Sequence, residues 1–297
     1  MADTDGPADG GPRGGTEPDT GAEVTLRPQS LMLNFLGNFA LDGDVCIYSG
    51  SIIEVLERTG VGERATRSTL SRMVDRGLLR RRRAGRRMYF GLTDRATAVL
   101  RDGERRLLKQ GAVNHTWDGT WTLLAFSLPE SSQGRRHDLR SQLTWSGFGP
   151  LIGGLWIAPG DADVTRITGD PELGPHVTVF RSTADPVTDI ARMIHNTWDL
   201  DTPATGYRAF LRRWRVFAEG QGAEASGSDL EALALKLRLQ TEWLQIVEAD
   251  PRLPVQHLPE DWPAAAAQDA FRRADARVDK AARASAERLL ETIPLRE

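Results

Sequence analysis

ERATRSTLSRMVDRGLLRRRRAGRRMYFGLT, residues 63–93, decides how the N-terminal third of this chain is read. Ala65, Leu70, Met73 and Val74 fall on one face at helical spacing, so the spacing predicts a helix over residues 63–76, stopped by Gly77. Two runs with β-prone ends follow, 78–83 and 86–92, joined at Ala84-Gly85 in the pattern of a hairpin. Working back from there, Gly60-Val61-Gly62 is a short turn. Ser51-Ile52-Ile53-Glu54 has the form of a capping box opening a helix with Ile52, Val55 and Leu56 on one face. Before that helix stands the apolar run 45–48, and before the run the turn Asp42-Gly43-Asp44. A first helix after Pro28 carries Leu31, Phe35, Leu36 and Phe39 at helical spacing, with Ser30 as a candidate cap. Working forward, Thr93 caps a helix expected to reach about residue 110. Helix, helix, short turn, helix and hairpin is the order of a winged helix-turn-helix.

The charge of this stretch is the functional signal. Residues 64–95 hold 11 arginines against Asp75 and Asp94, a local charge of +9 in a chain whose formal net charge is −3. The isoelectric point near 6.0 describes the average; phosphates meet one surface, and the local field governs that meeting. Every basic residue in the block is arginine, whose planar fork suits a guanine edge or a phosphate. In the third helix, Arg64, Thr66, Arg67, Ser68, Thr69 and Arg72 are the expected contacts to double-stranded DNA. In the hairpin they are Arg80, Arg81, Arg82, Arg83, Arg86 and Arg87. Alternation along the strand sends Arg80 and Arg82 to one face and Arg81 and Arg83 to the other, so the four cannot share one row of phosphates.

The rest of the chain changes character. Residues 1–27, with six glycines and three prolines, are expected to be disordered. Residues 113–187 read as strand (121–128), helix (132–145), two short strands (148–152 and 155–158), a short helix between 161 and 168, and a strand (177–181). That is the β-α-β-β-α-β order of a ferredoxin-like domain. Residues 188–297 read as helical, interrupted at Asp250-Pro251-Arg252-Leu253-Pro254 because each proline disfavours helix in its predecessor. The expected class is α+β, with a DNA-binding unit at 28–112, a ferredoxin-like unit at 113–187 and an all-helical unit at 188–297.

Other chemistry is poorly represented. His115, His137, His176, His195 and His257 have no ligand-like spacing, so no metal site is expected. Phosphate-loop, nucleophile-elbow and dinucleotide glycine patterns are missing, so neither a catalytic residue nor a cofactor is assigned. A single cysteine, Cys46, no signal-like N-terminus and no run of ~20 apolar residues point to the cytoplasm and away from a membrane. All eight tryptophans lie outside the DNA-binding region. Core packing accounts for most of them, while Trp145, Trp156, Trp198 and Trp214, with Tyr207 and Arg208, are candidates for a pocket holding a small effector.

Several stretches resemble the PaaX family of transcriptional repressors, regulators of phenylacetate degradation. They are Ala65-Thr66-Arg67 with Leu70-Ser71-Arg72-Met73; the wing run from Gly85 through Thr93; Trp117-Asp118-Gly119; Gly147-Phe148-Gly149-Pro150; Trp198-Asp199-Leu200; and residues 250–254 with Leu258-Pro259 and Asp261-Trp262-Pro263. The last group, in this order, is the most specific, and the likeness spans about residues 28–292. The resemblance implies a homodimer with winged-helix, ferredoxin-like and helical domains, released from its operator by an effector such as an aryl-acetyl coenzyme A. The central domain is also similar to that of a small CRISPR-associated nuclease, whose first strand ends near a metal-binding aspartate. Here Phe126-Ser127-Leu128 puts serine at that point, so metal-dependent cleavage, like non-specific architectural DNA binding, is the lesser expectation.

Overall fold

A computed structural model describes residues 26–104, 111–129, 132–220 and 228–295. Among these the chain folds as helices around two four-stranded antiparallel sheets. Residues 1–25 of the tail expected to be disordered and the end of the helix projected to residue 110 lie outside the described residues.

The first sheet gathers β1 (Val45–Tyr48), β2 (Leu79–Ala84) and β3 (Arg87–Leu92) around helices α1 (Pro28–Phe39), α2 (Ser49–Arg58) and α3 (Glu63–Asp75). Helix α4 (Asp94–Glu104) follows, and the Thr93 hydroxyl accepts from the Ala96 N–H at 3.2 Å, the expected cap. Pro28 opens α1 from its first turn, where a missing N–H costs nothing, so Ser30 is not needed as a cap. The hairpin turns at Gly85-Arg86, one residue later than expected. Gly85, at φ +59°, takes the left-handed position that a tight hairpin needs and that glycine fills without strain.

The second sheet comprises β4 (Thr120–Phe126), β5 (Gly149–Ile152), β6 (Leu155–Pro159) and β7 (Val177–Thr183), in the spatial order β5-β6-β4-β7. Helices α5 (Gln133–Trp145) and α6 (Thr165–Thr168) supply the β-α-β-β-α-β order. One face packs Leu124, Trp156 and Ala158 under Leu139, Leu143 and Ile167. The other face packs Trp121 and Ile157 under Ile194 and Trp198 and under Leu253. Ile194 belongs to α7 (Ile190–Thr197), so the boundary expected at 187 falls short of this unit's second layer. Gly149 explains part of the glycine motif: a Cβ there would stand 2.4 Å from Thr197 Cγ2 and 2.7 Å from the Trp198 ring. Only hydrogen lets α7 close on the strand.

Three long helices follow, α8 (Asp201–Ala218), α9 (Asp229–Ala249) and α10 (Ala264–Leu289). Their shared core includes Tyr207, Phe210, Trp214, Trp243 and Phe271, with the rings of Trp243 and Phe271 stacked at 4.8 Å. This region is not all-helical, as the sequence suggested. After α10 the chain adds a strand, β8 (Thr292–Pro294), to the free edge of β1, giving the first sheet the order β2-β3-β1-β8. Leu233 and Leu237 of α9 and Ala282 and Ala286 of α10 also enter the core formed by α1, α2 and α3. The first and last thirds of the chain are therefore one packed body.

An ion cluster fastens α9 to α10 at their ends. The Asp229 carboxylate accepts from Arg288 Nε at 2.8 Å and from the Ser285 hydroxyl at 2.9 Å. These bonds, Arg288 first, pull its pKa from 3.8 to about 2. A pKa lowered by folding contributes stability that is present above the unfolded value and lost as pH falls through the folded one. The stability difference between wild type and Asp229→Asn is therefore expected to hold steady near neutral pH and to close between about 4 and 2. Urea midpoints across that range measure it; a gap that persists undiminished at pH 2 would contradict the assignment.

Candidate nucleic-acid interface

Helix α3 buries Thr66, Thr69, Leu70 and Met73, an i, i+3, i+4, i+7 stripe. Thr66 and Thr69, expected on the DNA-facing side, are 0% and 1% exposed and face the interior. The Thr66 hydroxyl donates to the Gly62 carbonyl at 3.3 Å, so the helix backbone satisfies the polar atom and its methyl group packs. Thr69 Oγ1 accepts from Arg72 Nη2 at 3.2 Å. The helix is thus rotated from the expected face: Ala65, expected inside, is exposed together with Arg64, Arg67, Ser68, Ser71 and Arg72. Arg67 pairs along the helix with Glu63 at 2.7 Å, an exposed contact that a phosphate can displace cheaply.

The hairpin divides its arginines as alternation requires. Arg81 and Arg83 lie opposite Phe90 and Met88, on the face towards α3; Arg80 and Arg82 lie opposite Gly91 and Tyr89, on the other. Between α3 and the hairpin runs a cleft of about 250 Å³ whose lining includes the polar residues Arg67, Ser71, Asp75 and Arg81 and the apolar residues Leu70, Met88 and Phe90. Arg64, Arg81 and Arg86 have no ion-pair partner among the described residues.

On the opposite face the arginines are engaged. Arg80 pairs with Asp94 at 3.6 Å. Arg82 donates to the Pro294 carbonyl of β8 at 2.6 Å. Arg87 sits 5.1 Å from the centre of the Tyr48 ring and pairs with Glu291, which also accepts from the Tyr89 hydroxyl. Hydrogen bonds from Tyr89 and Arg87 hold the Glu291 carboxyl below its ordinary pKa. Arg80, Arg82 and Arg87 thus leave the surface shared with α3. Glu291 carried no signal in the sequence, since it lies 204 residues from Arg87.

The residues expected to form an effector pocket are not brought together. Trp156 lies in the core beneath α5, and Trp198 lies on the opposite face of the sheet, its Nε1 donating to the Gly147 carbonyl at 3.3 Å. Tyr207 and Trp214 are in the helical core, and Trp145 is 57% exposed. Arg208 pairs with Asp261 at 3.1 Å. Tyr207 instead anchors the Asp-Pro-Arg-Leu-Pro segment: its hydroxyl donates to the buried Asp250 carboxylate at 2.6 Å, whose other oxygen accepts from the Arg252 N–H at 2.7 Å. Burial raises the pKa of both Tyr207 and Asp250.

Among the described residues, no group of three or more His, Cys, Asp or Glu is arranged to hold a metal ion, and no helix is long and apolar enough to cross a membrane. Ser127 spends its backbone N–H on the His176 carbonyl at 3.0 Å.

Three family descriptions cover most of the chain in sequence order. Residues 27–96 match the PaaX-like protein family, 114–194 the PaaX protein central Cas2-like domain, and 198–288 the PaaX-like protein C-terminal domain. The chain belongs to the PaaX family. As a family member it is 29% identical over 223 residues to the transcriptional repressor PaaX of Escherichia coli K12, covering 73% of this chain and 69% of that protein. Its fold is also that of an uncharacterized protein from Mycobacterium tuberculosis, at a TM-score of 0.56 and 21% identity, across 88% of this chain and 99% of the other. The first of these matches, residues 27–96, spans the arginine surface.

Proposed function

We propose that this PaaX-family chain is a transcriptional repressor that reads operator DNA in the cytoplasm through α3 and the β2–β3 hairpin, a winged helix-turn-helix. The observation that carries the reading is the set of exposed guanidinium groups at Arg64, Arg67 and Arg72, with Arg81 facing Arg67 across the cleft. In this arrangement the N-terminal half of α3 enters the major groove, where arginine forks meet guanine edges, while Arg81, Arg83 and Arg86 meet phosphates. The name of the Escherichia coli relative supports repression as the outcome of binding.

The central sheet with α5 and α6 is read as a ferredoxin-like unit. A second copy of the chain is the partner we propose, because a two-fold dimer presents two α3 helices to half-sites about one helical turn apart. A small aromatic or acyl coenzyme A effector is proposed to release the dimer by binding its DNA-free state more tightly. Ser127 in place of an acid at the end of β4 disfavours the nuclease reading.

Selection of bound fragments from a genomic library, followed by titration of a selected duplex and of a scrambled one, tests the proposal. Binding to the selected duplex tighter by ~10³ or more at physiological salt is expected of a specific repressor. Equal affinity for the two duplexes would replace the reading with non-specific binding.

A further inference from the structure

We infer that the chain following α10 sets the charge of the DNA-reading hairpin, with Glu291 occupying Arg87 in place of a DNA phosphate. The inference rests on the proposal that this hairpin meets DNA, and it concerns a residue outside the sequence of the winged helix itself.

Three sets of contacts place Glu291 at that post. The Ser51 hydroxyl of α2 donates to the Leu289 carbonyl at 3.2 Å and accepts from the Glu291 N–H at 3.3 Å, which fixes the chain as it leaves α10. Strand β8 then runs antiparallel to β1, with Val45 opposite Pro294, Cys46 opposite Ile293 and Ile47 opposite Thr292. The Tyr48 N–H donates to the Glu291 carbonyl at 2.8 Å, and the Leu295 N–H to the Asp44 carbonyl at 2.7 Å, closing the ladder at both ends. The segment is thus built into the sheet that carries the hairpin.

From this fixed backbone the Glu291 side chain reaches across β1 to β3, where one carboxylate oxygen accepts from Arg87 and the other from the Tyr89 hydroxyl. Arg82, on the neighbouring strand, is held at the same edge by the Pro294 carbonyl. Both the Arg87 and Glu291 side chains remain substantially exposed, at 55% and 39%. Their pair is therefore reachable by a competing anion and weak enough to exchange. A phosphate can accept from the Arg87 guanidinium as the carboxylate does, and its pairing releases counterions. Arg87 stands opposite Ala84, beside the Gly85-Arg86 turn, so while Glu291 holds it the hairpin presents one cation fewer and carries an acid near its tip. Because Glu291 directly continues α10, whose Ala282 and Ala286 lie in the core shared with α2, a displacement of α10 is a displacement of this carboxylate.

Glu291→Gln keeps the shape and the acceptor for Tyr89 but removes the charge that competes for Arg87. Titration of the full chain with a selected duplex over a range of salt is expected to show two- to fivefold tighter binding for the variant, on the order of one exposed ion pair. The dependence of log K on log salt is expected to steepen by about one unit, the signature of one more phosphate engaged. Arg87→Gln is expected to abolish this gain, so that Glu291→Gln has no effect in its background; that non-additivity ties the two residues to one interaction. Unchanged or weaker binding by Glu291→Gln, with its thermal midpoint preserved, would overturn the inference. So would a full gain in the Arg87→Gln background, which would mark a general field effect. Failure of the wild type itself to bind any duplex would strike the proposed function and not this contact.

Discussion

Lys236→Met is expected to lower the unfolding free energy by about 2–4 kcal/mol, as removing one partner of a buried ion cluster does. The Lys236 side chain is 2% exposed, and its ammonium group donates to Asp279 at 2.7 Å and to Asp275 at 3.4 Å, both on α10. Burial alone would raise the pKa of Asp279; hydrogen bonds from Lys236 and Arg283 outweigh it and hold the carboxyl below its ordinary range. Without the ammonium, two carboxylates remain side by side in a poorly hydrated seam. The loss is not the full cost of stranded buried charges, since their side chains are 25% and 34% exposed and keep other donors, Gln240 on Asp275 and Arg283 on Asp279, each at 2.9 Å. Replacing both acids by leucine in the same variant is expected to recover most of the loss, because a matched apolar seam needs no counter-charge. Urea unfolding at pH 7 checks both steps. A loss below about 1 kcal/mol for Lys236→Met would show that the ammonium merely tolerates its position.

The consequence reaches further than α9 and α10. Gln240 bridges Asp275 to Asn38 of α1, the latter bond at 2.7 Å, and Asn34 donates to Thr241 at 3.0 Å and to the Leu237 carbonyl at 3.3 Å. This polar seam runs from α10 through α9 into the unit that carries α3. A satisfied buried network of this kind fixes one register between helices that apolar contact alone would leave free to slide. Loosening the seam is therefore expected to loosen the platform of the hairpin, and a single unfolding transition for the first and last thirds of the chain follows from their common core.

Local features of the fold are legible wherever side-chain type and backbone need coincide. The hairpin glycine, the stop at Gly77 and the helical interruption at 250–254 are examples. The face of α3 is misjudged from sequence because a period counted on apolar residues alone passes over threonine. Thr66 can sit in a core once its hydroxyl bonds back to its own helix, and then Ala65 is released to the surface. Ser51 shows the same ambiguity from the other side. It has the spacing of a capping box, yet α2 starts at Ser49 and the Ser51 hydroxyl serves residues 289 and 291. Strand β8 is invisible in the sequence because three residues after a 26-residue helix carry no periodicity; its pairing partner lies some 250 residues away.

The candidate site is legible in charge and only partly in geometry. A count of arginines locates the surface but cannot tell which ones a distant acid will hold. The tryptophans are harder still. Motifs such as Trp117-Asp118-Gly119 and Trp198-Asp199-Leu200 look like chemistry, yet they are joints. Asp118 accepts from the Thr120 N–H at 2.9 Å ahead of β4, and Asp199 accepts from the Thr202 N–H at 3.1 Å at the start of α8. Asx residues make such turns by bonding their own backbone two or three residues on. Sequence similarity in these stretches follows the fold's corners and says little about what the protein binds.

The division of the arginines predicts a division of effects on DNA binding. Arg81→Ala and Arg86→Ala together are expected to weaken binding to selected and scrambled duplexes alike. They are also expected to flatten the salt dependence by about one unit for each phosphate no longer neutralised, about two for the pair. Arg80→Ala, on the far face and paired with Asp94, is expected to leave the slope unchanged and serves as the internal control. Arg67→Ala and Arg72→Ala are expected to behave differently. A bidentate contact to guanine is worth about 1–3 kcal/mol of discrimination, so each substitution should fall on the selected duplex and spare the scrambled one. Fluorescence anisotropy with both duplexes at several salt concentrations separates the two classes. If Arg80→Ala and the Arg81, Arg86 pair flatten the slope equally, the cleft between α3 and the hairpin is not the surface that meets DNA. Net charge would then matter and its placement would not.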